Sequence, residues 1–181
     1  LSVTFPPHVS FLTMTARDGL SNSCVSSIVQ DRTGFIWFGT QGGLNRFDGH
    51  EFKLFANEPF QVNGLSHNLI QTMYLDGDVL WIGTYGGLNR FDLLTENFTI
   101  YRNDPTDPRS LSHDVVVSIS RDAMGALWVG TLDGLNRFDE SMGEFIKYRN
   151  DPARSDSIPG NTIRSMRVDR SGMLWIGTNG G

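Results

Sequence analysis

One phrase constrains this chain more than any other. It reads WFGTQGGLNRFD from Trp37 to Asp48, WIGTYGGLNRFD from Trp81 to Asp92, and WVGTLDGLNRFD from Trp128 to Asp139. A fourth copy, WIGTNGG, starts at Trp175. The four tryptophans lie 44, 47 and 47 residues apart, and the sequence has no others. Self-similarity at such a period marks a repeat architecture, in which each unit buries its apolar face only against its neighbours.

Within each unit the runs are short. VSSIVQDRTGFIW, IQTMYLDGDVLW, VVSISRDAMGALW and IRSMRVDRSGMLW each hold an apolar, β-branched run, an Asp-centred turn and a second such run. The third run is LNRFD, and the fourth is FKLF at Phe52, FTIY at Phe98 and FIKY at Phe145. Runs of this length bounded by Gly, Asp, Asn and Pro are strands. No window carries helical apolar spacing over a helical length. Asp suits the first turn because it bonds its own downstream backbone, and Gly because it accepts positive φ. The second unit turns on the shorter DGD, Asp76 to Asp78, which tightens its spacing.

Four antiparallel strands per 40–50 residues form the blade of a β-propeller. The expected fold is therefore all-β: a partial propeller with three full blades and parts of two more. The units divide as an N-terminal outer strand within 1–19, then blades at 20–64, 65–110, 111–157 and a partial blade at 158–181. The outer strand is placed at about Val9 to Met14. The four tryptophans are read as blade-to-blade core, and Asn45/Arg46, Asn89/Arg90 and Asn136/Arg137 as structural pairs, because a packing or turn role must recur in every unit. An open array leaves apolar sheet faces wet. Either a longer chain or self-association, a head-to-tail dimer of eight blades, is expected to cover them.

The net charge of −5 argues against a nucleic-acid partner, which needs a basic face. No run of about 18 apolar residues is present. Cys24, the single cysteine, excludes an internal disulfide and reads as a small buried apolar residue. The four histidines show no metal-ligand spacing, and no Gly-rich segment opens a helix that could cradle phosphate. No cofactor or metal is expected, and the chain is not read as an enzyme.

If it binds, two loop types sharing one face of the ring are the place. One joins the second and third strands and varies at Gln41, Tyr85, Leu132 and Asn179. The other leads to the next inner strand: Ala56 to Asn68, Arg102 to Asp114 and Arg149 to Asn161. His67 and His113 fall at one repeat position, where the other units have Asn22 and Gly160. Variation inside a repeat is not explained by the needs of the scaffold. Gln41, Tyr85, Asn179, His67 and His113 are the candidate ligand contacts, since an aromatic face with amide and imidazole groups suits a sugar. The competing reading is a protein-interaction or dimerisation platform without a small ligand.

The segment GLSNSCVSSIVQDRTGFIWFGTQGGLNRFDG, with its Asp-x-x-Gly turn, Trp-x-Gly-Thr strand and Gly-Leu-Asn-Arg-Phe-Asp run, resembles the two-component regulator propeller repeat. The resemblance covers nearly the whole chain. It implies the periplasmic or extracytoplasmic sensor of a membrane-anchored signalling protein, whose membrane helix and kinase or cyclase output lie in parent segments outside this sequence. It further implies an oligosaccharide as the signal.

Overall fold

The computed structural model describes residues 10–58 and 64–181. It holds fourteen strands among these residues, and one turn of 3-10 helix at Ala16–Asp18. Blade 1 is β1 (Val25–Gln30), β2 (Ile36–Thr40), β3 (Gly43–Phe47) and β4 (Phe52–Phe55). Blade 2 is β5 (Ile70–Asp76), β6 (Val79–Thr84), β7 (Gly87–Asp92) and β8 (Phe98–Tyr101). Blade 3 is β9 (Val116–Arg121), β10 (Leu127–Thr131), β11 (Gly134–Asp139) and β12 (Glu144–Tyr148). Two further strands, β13 (Ile163–Val168) and β14 (Leu174–Thr178), begin a fourth blade. Each full blade is an antiparallel meander in sequence order. The inner strands β1, β5, β9 and β13 pack successively on one another, so the blades form a partial, unclosed propeller.

The first hairpin of a blade forms for the reason its sequence suggests. Asp31 Oδ1 accepts from Thr33 N–H at 2.9 Å and Phe35 N–H at 3.1 Å. Asp122 and Asp169 repeat the pattern on Met124 and Ala126, and on Ser171 and Met173. The other carboxylate oxygen takes the tryptophan six residues on, in the second strand of the same hairpin. Trp37 Nε1 donates to Asp31 at 2.8 Å, Trp128 to Asp122 at 2.8 Å and Trp175 to Asp169 at 2.7 Å. One aspartate thus closes the turn and satisfies an indole N–H. Blade 2 breaks the rule. Asp76 pairs with Val79 as the shorter turn requires, and its carboxylate takes the Arg121 guanidinium of blade 3 at 2.5 Å. Trp81 Nε1 is left buried without a partner.

Two apolar cores lie between blades. One joins blades 1 and 2 around Trp37, Ile70 and Phe91. The other joins blades 2 and 3 around Trp81, Val116 and Phe138. Trp37 and Trp81 are 1% exposed. The expectation that all four tryptophans are core needs correction: Trp128 is half-buried and Trp175 is 60% exposed. An indole is covered where the third strand of the following blade lies against it. Trp37 meets Phe91 of blade 2 edge-on at 5.5 Å, and Trp81 meets Phe138 of blade 3 at the same distance. Trp128 and Trp175 have no third strand ahead of them.

Two other expectations also change. The N-terminal outer strand was placed at Val9 to Met14. Val9 lies outside the described residues, and Ser10–Met14 enter no ladder. An outer strand needs a third strand to pair with, and the fourth blade here has only two. Cys24 is exposed rather than buried, because it stands in the short connection before β1.

A hydrogen-bonded turn and polar cleft as the candidate site

The repeated Ser, Thr and Asn of each unit meet in one buried relay. In blade 3, Asn136 Nδ2 donates to Ser112 Oγ at 2.8 Å. Ser112 Oγ lies 2.8 Å from Thr131 Oγ1, which donates to Gly134 O at 2.9 Å. Thr131 has spent its proton on the carbonyl, so the serine hydroxyl donates to it, and every dipole runs the same way. Asn136 Oδ1 accepts the Ser112 N–H in return at 2.9 Å. Asn89, Ser66 and Thr84 build the same chain in blade 2, and Asn45, Ser21 and Thr40 in blade 1. Asn45, Asn89 and Asn136 are fully buried. A fully satisfied network of this kind fixes geometry, because leaving any member unpaired in the interior is costly.

The relay pins the turn between second and third strands to the loop that enters the inner strand. The two loop types therefore share one face, as expected. The backbone of the variable turn residue is also held. Gln41, Tyr85, Leu132 and Asn179 donate N–H to Cys24, Leu69, Val115 and Thr162 carbonyls at 3.1–3.3 Å. The backbone is thus the same in every blade while the side chain differs.

The loops into the inner strands are more regular than their sequences. Asn57, Asn103 and Asn150 each donate Nδ2–H to the carbonyl of Leu65, Leu111 or Ile158 at 2.7 Å. Each also donates its backbone N–H to Asn68, Asp114 or Asn161, at 2.6, 2.7 and 2.7 Å. The central part of the first loop, 59–63, lies outside the described residues.

The five candidate contacts sort differently. Tyr85 is 45% exposed, and its ring lies 6.1 Å from that of His67, tilted by 34°. These two come together. His67 and His113 also have a turn role: Nδ1 accepts the N–H of Leu69 at 3.0 Å and of Val115 at 2.9 Å. Asn22 does the same for Cys24 at 2.8 Å, which explains why His and Asn alternate at this position. Nδ1 being an acceptor, Nε2 carries the proton of the neutral imidazole. Gln41 is exposed on the blade 1 turn and hydrogen-bonds neither ring. Asn179 Oδ1 accepts from Arg164 Nε at 2.6 Å, the residue bulged out of the β13–β14 ladder.

His113 lies instead in a cleft of about 500 Å³, which Asn103, Asp107, Asp133, Lys147 and Arg149 also line. Asp133 stands where the other turns have Gly42, Gly86 and Gly180. Its carboxylate takes Arg149 at 2.8 Å and Asn161 Nδ2 at 3.2 Å. Arg149 reaches on to the Asp133 and Ser112 carbonyls. Burial lowers the Lys147 ammonium pKa, and the neighbouring Arg149 charge lowers it further. The cleft carries both signs of charge, Asp104, Asp107 and Asp133 against Lys147 and Arg149, and so offers donors and acceptors together. Asp133, Arg149, Lys147 and Arg164 were not among the candidates read from sequence. Asp133 carried a legible signal, being the one side chain at a glycine position of the repeated turn. Among the described residues, no group of three or more His, Cys, Asp or Glu is placed to hold a metal ion.

The family model for the two component regulator propeller matches residues 19–42, 64–86, 110–133 and 157–180, together just over half of the chain. The chain belongs to the two component regulator propeller family. Each matched segment of this propeller chain runs from the loop before an inner strand to the variable turn. A Histidine kinase P4 from Formosa agariphila is 48% identical over 56 residues, 31% of this chain and 4% of the kinase. The extracellular domain of a putative hybrid two component system from B. thetaiotaomicron superposes with a TM-score of 0.83 at 31% identity. That match covers 92% of the propeller chain and 24% of the larger protein's domain. The extracellular domain of a putative one component system from the same organism gives 0.77 at 24% identity, over 93% of this chain and 22% of that one. The latter likeness is one of fold. This propeller chain spans about a quarter of the solved relatives it matches.

Proposed function

We propose that this propeller chain is part of a periplasmic or extracellular sensor and takes a polyhydroxylated signal ligand, an oligosaccharide, on the face that carries the variable turns. The parent signalling protein, a membrane-anchored kinase or cyclase, then relays the binding event. The observation that carries the reading is the contrast at one turn. Its backbone is held the same way in all four units, by an N–H donated to a carbonyl at the entry to the inner strand, while its side chain changes from Gln41 to Tyr85 to Leu132 to Asn179. Scaffold chemistry accounts for the constant part and leaves the variation to recognition.

In this reading Tyr85 gives a sugar ring its apolar face, and the His67 Nε2–H donates at its edge. Gln41, His113 and Asn179, with Arg164 beside it, extend the row of polar contacts. The Asp133–Arg149 pair forms the floor of the adjoining cleft, where hydroxyl groups can both donate and accept. The resemblance to extracellular domains of two-component systems supports the setting.

The test is calorimetry and thermal melting against a panel of neutral and acidic oligosaccharides. A ligand at about one hundred times its Kd stabilises the folded chain by about 2.7 kcal/mol. The expected result is a melting-point rise for a saccharide, reduced in Tyr85→Ala. If no saccharide gives binding heat or a shift, the reading fails.

A further inference from the structure

The cleft beside His113 is walled by the loop that joins blade 2 to blade 3 and by the turn and outer strand of blade 3, and both blades are complete. Its two cations are already engaged. Arg149 Nε donates to the Asp133 carbonyl at 3.1 Å. Arg149 Nη2 donates to Ser112 O at 3.3 Å and to the Asp133 carboxylate at 2.8 Å. A guanidinium grips a carboxylate with two parallel N–H groups. Both edges of the Arg149 fork that could do so include Nη2, which has spent its protons. Nη1 is left, and it suits a single hydroxyl oxygen. Lys147 Nζ is turned to Asp107 O and Ser110 Oγ, at 3.4 and 3.3 Å.

Asp133 therefore supplies the group that an acidic ligand would bring. The sister turns carry Gly42, Gly86 and Gly180 at this place, so the turn folds without the side chain. In blade 2 the arginine keeps its seat: Arg102 Nε donates to Gly86 O at 3.2 Å, as Arg149 does to Asp133 O. Gly86 offers it no carboxylate, but Asp114 stands where blade 3 has Asn161. Asn161 reaches Asp133 Oδ1 at 3.2 Å, so Asp114 borders the place that an acid seated on Arg102 would take. In blade 1 the same positions hold Gly42, Ala56 and Asn68, without charge. Where this face carries the arginine it also carries a carboxylate, from a different chain position in the two blades. Within the cleft, carboxylates outnumber cations.

We infer that Asp133 determines specificity: its carboxylate occupies Arg149 and so reserves the cleft for neutral saccharides, excluding those that carry carboxylate or sulfate groups. The inference rests on the saccharide reading above and narrows it. An acidic sugar in the cleft lies against Asp133 and finds no free guanidinium fork, and such repulsion discriminates between ligands as effectively as attraction. A neutral sugar meets no such penalty, since its hydroxyls accept from Arg149 Nη1 and donate to the carboxylate. The Asp133–Arg149 pair is nearly half exposed on both sides, so the discrimination is partly screened and weakens with salt.

Calorimetry tests this on galactose and mannose oligomers, each beside the galacturonate or mannuronate oligomer of the same length. The wild-type chain is expected to bind a neutral member about tenfold more tightly than its acidic counterpart. Asp133→Asn keeps the shape of the side chain and releases Arg149. The acidic member should then gain about tenfold in affinity, and the gain should shrink as salt rises. Combining Asp133→Asn with Arg149→Gln should abolish the gain. Circular dichroism establishes folding, and where Asp133→Asn does not fold, Asp133→Gly, the residue of the sister turns, replaces it. Three results overturn Asp133 as the determinant while leaving a saccharide site standing. They are acidic members that bind the wild type as tightly as neutral ones, an acidic affinity that Asp133→Asn leaves unchanged, and a gain that survives the loss of Arg149. If no member binds the wild type or any folded variant, the saccharide reading falls and this inference falls with it.

Discussion

Asn136 and Ser112, 24 positions apart, are bonded twice: Asn136 Nδ2 donates to Ser112 Oγ at 2.8 Å, and Ser112 N–H donates to Asn136 Oδ1 at 2.9 Å. This pair joins the third strand of a blade to the loop entering its first. It explains why Leu-Ser, Gly-Thr and Leu-Asn recur together along the chain. Asn136→Ala leaves the buried Ser112 N–H without an acceptor, so it should cost about 1–3 kcal/mol. Urea unfolding measures this. A double-mutant cycle with Ser112→Ala should show coupling of about 0.5–3 kcal/mol, and strict additivity would contradict the relay.

Trp37 and Trp81 are equally buried but differ at the indole nitrogen. Trp37 donates to Asp31, whereas Trp81 has no acceptor. Replacement by Phe removes similar volume from both sites. Trp37→Phe should therefore destabilise by about 1 kcal/mol more than Trp81→Phe. Equal shifts in the denaturation midpoint would show that the aspartate bond adds nothing.

Acid should loosen the hairpins. The Ser171 hydroxyl, and after it the Trp175 indole, hold the Asp169 carboxyl at about 2 instead of 3.8. The Trp128 indole, with backbone N–H groups, holds Asp122 below the usual range. A depressed folded pKa contributes stability that is complete above the unfolded value and disappears as pH falls through the folded one. Stability should therefore fall between about pH 4 and pH 2. Asp122→Asn should remove part of that slope in urea melts run across the window, and a wild-type curve flat through it would refute the assignment.

Asp133→Gly restores the residue of the other turns. Its ion pair with Arg149 is nearly half exposed on both sides. The change should alter stability by less than about 1 kcal/mol. Ligand affinity at the adjoining cleft should nevertheless fall, by about tenfold for one lost charged hydrogen bond. Calorimetry on a binding saccharide reads the effect. Unchanged affinity would remove Asp133 from the site.

Gly39→Ala puts a methyl 2.7 Å from Ile70 Cγ2 in a filled joint. Overpacking of this kind costs about 1–3 kcal/mol. The thermal midpoint should drop.

Of the proposed site, only part was legible beforehand. Tyr85 and His67 stood out because their units differ there, and they do meet. The histidines were read for their imidazole chemistry, but the turn uses Nδ1 of each as it uses the Asn22 carbonyl, which repeat position alone does not reveal. Arg149 was hidden because its partner Asp133 is brought to it by the third and fourth strands pairing, 16 residues apart.

The sequence by itself determined the blade: strand lengths, Asp–Gly turns and the order of four antiparallel strands. These follow from short-range period and from hydrogen bonds within a few residues. Only the tertiary structure decided which tryptophans are covered, which aspartate leaves its indole for Arg121, and which side chains share the polar cleft. Those outcomes depend on what the adjacent blade places opposite, and nearly identical repeats read alike until a neighbour is present or absent.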